Sequence, residues 1–118
     1  MGVLVIHVHL DFMNCQLMEL RVEGHQQKIP TGESLALICN AISVIVQNFQ
    51  EALLQLVSKT DFELQNRKGL CIVSRKSKHR LDNREEQTLD TIVKVSLIGF
   101  KRLEKQHPEY IRVHLKDN

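Results

Sequence analysis

The chain has 118 residues, enough for one domain, spanning 1–118, with a real hydrophobic core. Hydrophobic residues make up 42%, which argues against disorder, and an aromatic share of 4% with no Trp and one Tyr argues against a stacking platform for single-stranded nucleic acid. A formal net charge of +2 is too small to imply nucleic-acid binding by bulk electrostatics, and three cysteines without CxxC or Cys/His ligand spacing argue against a disulfide framework and a structural zinc site.

In chain order, Val3 to Leu10 is rich in β-branched residues and reads as a buried strand. His7 and His9 interrupt it and no basic region precedes it, so it is neither a signal peptide nor a membrane span. Turn signals occupy Asp11 to Asn14. From Gln16 to Glu23 the chain alternates, with Leu17, Glu19, Arg21 and Glu23 on one face and Met18, Leu20 and Val22 on the other. That pattern predicts a strand with one buried face, the hairpin partner of the first. Gly24 ends it, and a polar loop with Pro30 follows.

Ser34 to Lys59 carries Leu35, Ile38, Ile42, Ile45, Phe49, Leu53 and Leu56 at helical spacing, with Leu37, Ala41, Val44 and Val46 widening the stripe nearly all round. A helix this apolar is central, covered by the sheet and by core packing or a second subunit. Asp61 to Gln65 and Leu70 to Ser74 read as two short strands joined by the Asn66–Gly69 turn, and Arg75 to Arg80 as a solvated charged loop. Asn83 with Glu86 three residues on is a capping-box signal opening a second helix, which stops before Pro108. Tyr110 to Leu115 alternates as a final strand. The order is ββαββαβ, an α+β domain with two helices packed on a mostly antiparallel five-stranded sheet.

Candidate chemistry sits between the second strand and the first helix. His25 follows the strand end, and Cys39 lies in the first or second turn of the helix. If the two side chains meet, the imidazole takes the thiol's proton and the helix dipole favours the thiolate. Thiolate attack on a peptide carbonyl, with the proton returned to the leaving amine, is cysteine-protease chemistry. Ser43, one turn beyond Cys39, is placed to contact the sulfur or the developing oxyanion, or else to bond the Cys39 carbonyl four residues back. A Cys in an apolar helix is more commonly a small core residue than a nucleophile, so the residues alone leave both readings open.

The stretch Val22-Glu23-Gly24-His25, then Gly32-Glu33, then Ile38-Cys39-Asn40-Ala41-Ile42-Ser43 resembles the ribosomal-processing cysteine protease family (Prp). That family carries a Gly-His at the end of its second strand and a Cys-Ala-Ala-Val-Ser-like segment opening its first helix, in the same ββαββαβ order. The resemblance implies a cytoplasmic bacterial peptidase without cofactor, a homodimer, that removes an N-terminal extension from a large-subunit ribosomal protein. It implies His25 as base and Cys39 as nucleophile, under a loop that covers the bound peptide. Two positions depart from the family pattern: Gln26 where a small residue is usual after the His, and Ala36 where an acidic residue usually precedes the Cys by three. They motivate an alternative, a diverged, non-catalytic, ribosome-associated or dimeric binding module.

His7 and His9 alternate on one face of the first strand, a spacing that can bind a metal, with His114 of the last strand as a conceivable third ligand. The preferred expectation is a solvated strand face and no metal. Cys15 at the hairpin turn and Cys71 in an apolar strand are expected to be structural.

Overall fold

Alternation between apolar and polar side chains builds the first hairpin. The computed structural model describes residues 5–24, 33–57, 61–67, 69–76 and 81–118. Strand β1 spans Ile6–Met13 and β2 spans Gln16–Glu23, paired antiparallel. Ile6, Val8 and Leu10 are fully buried while His7 and His9 alternate with them on the other face. The first strand therefore runs three residues past the expected Leu10, and the turn falls at Asn14 and Cys15 instead of Asp11 to Asn14. Both turn residues have positive φ, 51° and 64°, as a two-residue hairpin loop demands.

The alternation in β2 changes phase partway. Asp11 pairs with Glu19 but Phe12 pairs with Leu17, so Met18 is an extra residue, a β-bulge. Leu17, expected on the polar face, is thereby turned inward with Leu20 and Val22 and is 3% exposed.

Helix α1 spans Glu33–Leu56, β3 Phe62–Arg67, β4 Leu70–Arg75, α2 Asn83–Gln106 and β5 Ile111–Asp117. Among the described residues this is the expected α+β arrangement: two helices and a five-stranded sheet in the order β3-β4-β2-β1-β5. Each neighbouring pair is antiparallel except β1 with β5. Ile38, Ile42, Phe49 and Leu53 of α1 and Leu89, Val93 and Phe100 of α2 form one core with the inward residues of the sheet. The helices meet closely where Gly99 faces Ile45: a Cβ at Gly99 would stand 3.0 Å from Ile45 Cδ1. The opposite sheet face carries His7, His9, Arg21, Glu23, Arg112 and His114.

Two expectations at the start of α2 are corrected. The cap is Asp82, not Asn83: its carboxylate accepts the Glu85 N–H at 2.8 Å, and the Glu85 carboxylate accepts the Asp82 N–H at 3.3 Å. Burial of Leu81 fixes the chain's entry one residue earlier. Glu86 is committed elsewhere, to Arg75, which is the last residue of β4 and not part of a solvated loop. The Arg75 guanidinium donates to both Glu86 oxygens and, through Nε, to the Leu17 carbonyl at 3.0 Å. Lys76 beyond it is exposed, and residues 77–80 lie outside the described residues.

Candidate functional site

At the end of β2 the chain turns at Gly24, whose φ of +86° is open to glycine and strained for other residues. A Cβ there would lie 2.6 Å from the Val5 carbonyl oxygen, inside contact distance. Its N–H donates to the Gly69 carbonyl at 3.0 Å, which ties the exit of β2 to the β3–β4 turn. The glycine of the Gly-His pair is thus required by backbone geometry. His25 and Gln26 lie outside the described residues.

Cys39 is the seventh residue of α1, in its second turn, and is 6% exposed within the core cluster. The macrodipole acts mainly within the first turn. The dipole's effect on a side chain at Cys39 is therefore weaker than at the first turn. Ala36, where the family pattern has an acid, is half-buried on the same helix.

Ser43, one turn beyond, lines a cavity of about 330 Å³ between α1 and the strands β2, β3 and β4. Val22, Gln47, Gln50, Gly69 and Cys71 line it as well. This volume lies in the range of small-ligand or side-chain pockets. Gln50 donates through Nε2 to Asn66 Oδ1 and to Cys71 Sγ, both at 3.1 Å. Burial pushes the Cys71 thiol above its ordinary value, with the Gln50 hydrogen bond acting the other way. The setting of Cys71, half-buried in an apolar strand and bonded to Gln50, is that of a structural cysteine. Sequence reasoning missed Gln47 and Gln50. The signal was present: Ser43, Gln47 and Gln50 recur at i, i+4 and i+7, a polar stripe along one flank of the helix.

Cys15 is exposed at the hairpin turn, its thiol 3.9 Å from Asp117. On the open face of the sheet, His7 and His9 are half-buried and His114 is exposed, and the three rings meet, with His114 the neighbour the sequence allowed. His7 Nδ1 and His114 Nε2 are 2.9 Å apart, and one nitrogen from each of the three rings falls within 4.8 Å of the others. His9 Nε2 is 3.1 Å from Glu23 Oε1. Partial desolvation, followed by the neighbouring His9 and His7, holds the His114 imidazole below its ordinary value.

Comparison with known proteins places this geometry in a family. No curated protein matches the chain. Among solved structures, the chain is similar to SMU.848 from Streptococcus mutans, at 17% identity and a TM-score of 0.77, covering 97% of this chain and 99% of that one. It is similar to the essential ribosomal processing protease Prp from S. aureus in complex with a substrate peptide, at 15% identity and a TM-score of 0.75, covering 95% of this chain and all of that one. The same S. aureus protease with a covalently linked product peptide matches at 18% identity and a TM-score of 0.71, with 95% of this chain and 100% of that one covered. At these identities the likeness is one of fold. The profile of the family described as Cysteine protease Prp matches residues 5–112, nearly the whole chain, and the chain belongs to that family.

Proposed function

We propose that this protein is a cysteine endopeptidase with Cys39 as nucleophile and His25 as base, acting on the N-terminal extension of a large-subunit ribosomal protein in the bacterial cytoplasm. The observation that carries the reading is the Gly24–Gly69 hydrogen bond. It fixes the chain, at the residue before His25, beside the cavity that Ser43 lines one helical turn from Cys39. That juxtaposition, the family match and the S. aureus complexes with peptide support a peptide substrate entering from the cavity side.

In the proposed reaction His25 takes the Cys39 proton and the thiolate attacks the scissile carbonyl carbon. The tetrahedral oxyanion collapses, the C–N bond breaks, and the imidazolium gives its proton to the leaving amine. Water then hydrolyses the thioester with His25 again as base, which releases the carboxylate product and restores the thiol. Ser43 is a positioning residue on the Cys39 side of the cavity. No cofactor enters these steps.

A second reading, a binding module that keeps the fold without efficient chemistry, is favoured by Ala36 and by the burial of Cys39. One experiment separates the two. A peptide spanning the extension and the mature N-terminus is incubated with the parent protein, Cys39→Ala and His25→Ala, and iodoacetamide labelling of Cys39 is compared with that of Cys71. The peptidase reading expects cleavage by the parent, loss in Cys39→Ala, a fall of at least about a hundredfold in His25→Ala, and faster labelling at Cys39. Peptide binding without cleavage, with Cys39 labelled no faster than Cys71, supports the binding module. Cleavage by Cys39→Ala eliminates the dyad.

The proposed assembly is a homodimer through the outer faces of the helices. Leu37 and Val44 of α1 and Val95 and Ile98 of α2 are more than half exposed. The helices meet at Ile45 and Gly99, each next in sequence to one of these exposed residues, Val44 and Ile98.

A further inference from the structure

The parallel register of β5 on β1 sets His114 directly opposite His9, with His7 two residues along on the same face. Three imidazoles from two strands therefore converge on the sheet face that the helices leave uncovered. We propose that His7, His9 and His114 form a binding site for one zinc ion that ties the C-terminal edge strand to the centre of the sheet.

Three features beyond proximity support it. First, His7 Nδ1 and His114 Nε2 face each other at 2.9 Å, so at most one of them carries a hydrogen there when both rings are neutral. At least one lone pair already points into the cluster, and a metal ion takes the place of the shared proton. Second, zinc bound to imidazole nitrogens at about 2.0–2.1 Å in tetrahedral geometry needs ligand atoms about 3.3 Å apart. The three nitrogens lie within 4.8 Å, and the rings stand stacked at interplanar angles of 15–26°, so binding an ion requires them to turn out of the stack. The rings have room to do so, His7 and His9 being half-buried and His114 exposed. Third, Glu23 accepts from His9 Nε2–H at 3.1 Å. A carboxylate on the far nitrogen of a metal-binding histidine fixes the tautomer and makes the ligating nitrogen more basic. With Nε2 held by Glu23, His9 would ligate through Nδ1, and water completes the fourth position on the open face.

The donor set, three borderline nitrogens without a thiolate, suits zinc, with cobalt(II) as its spectroscopic stand-in. The cluster lies on the sheet face opposite Cys39, so the two sites are independent. This separation makes the inference testable whatever becomes of the peptidase reading.

The test titrates the full, untagged chain with Zn2+ by calorimetry and with Co2+ by absorption, alongside His9→Gln, His114→Gln, Glu23→Gln and Cys39→Ala. The expected result is one ion per chain and a cobalt spectrum without a thiolate charge-transfer band. Affinity falls at least about tenfold in each histidine variant and about tenfold in Glu23→Gln, and does not change in Cys39→Ala. Zinc should also raise the melting temperature of the parent and of Cys39→Ala but not of the histidine variants, whose circular dichroism confirms that they fold. Three results overturn the site: no binding by the parent, parent-like affinity in folded His114→Gln, or a thiolate band that disappears in Cys39→Ala.

Discussion

At Gly24 a left-handed backbone, a carbonyl oxygen within 2.6 Å of any added Cβ, and a hydrogen bond to Gly69 act on one residue. An alanine there pays roughly 1–2 kcal/mol for its φ alone, and the Val5 carbonyl must shift as well. Gly24→Ala should therefore lower stability by about 2 kcal/mol or more in chemical denaturation. It should also depress peptide cleavage, because His25 is the next residue along. A midpoint equal to the parent's would show that the turn relaxes freely and that Gly24 does not position its neighbour. Gly24 was legible because a strand-end glycine and the family's Gly-His pattern are both local features of the sequence. The burial of Cys39 was the commoner expectation for a Cys in an apolar helix, and it lies in the core. The meeting of His114 with His9 depends on the register of strands more than 100 residues apart in sequence, which no local pattern encodes.

Element order and type followed from periodicity, because strands alternate by two and helices repeat near 3.6 wherever one side is buried. Boundaries were less legible. The bulge at Met18 reversed the face of Leu17, and the helix cap fell one residue earlier than expected, at Asp82, with Leu81 buried before it. The Arg75–Glu86 pair is the joint between β4 and α2: the Arg75 side chain is 7% exposed, reaches the Leu17 carbonyl of β2, and lies 5.8 Å from the centre of the Phe62 ring. Removing one partner of such a buried pair leaves a charge without its counter-ion. Glu86→Ala should cost about 3 kcal/mol in urea denaturation, whereas Glu85→Ala, which loses only half of the capping box, should cost about 1 kcal/mol. Equal losses in the two variants would mean that solvent compensates the Arg75 charge and that the pair is not a structural joint.

For the whole molecule the apolar surplus of α1 has to be placed. Residues 36–56 are long and apolar enough by composition to cross a membrane. However, Ile38, Ile42, Phe49 and Leu53 are spent on the core beneath the helix, which makes it a core helix of this fold. Among the described residues, Leu37, Val44 and Leu56 of α1 and Val95 and Ile98 of α2 remain exposed. An apolar patch spanning two helices costs nothing when a second copy covers it, and a two-fold pairing makes one patch serve both subunits. If this is the subunit interface, the parent should sediment as a dimer at micromolar concentration. The double change Val95→Glu and Ile98→Glu should weaken association by at least about a hundredfold, because each protomer would then bury unpaired carboxylates against apolar side chains. The variant should keep its circular dichroism, since both positions are exposed in the protomer, and its melting temperature should lose the concentration dependence that a dimer shows. A parent that sediments as a monomer, or a double variant that dimerises as tightly as the parent, would rule out this face as the interface.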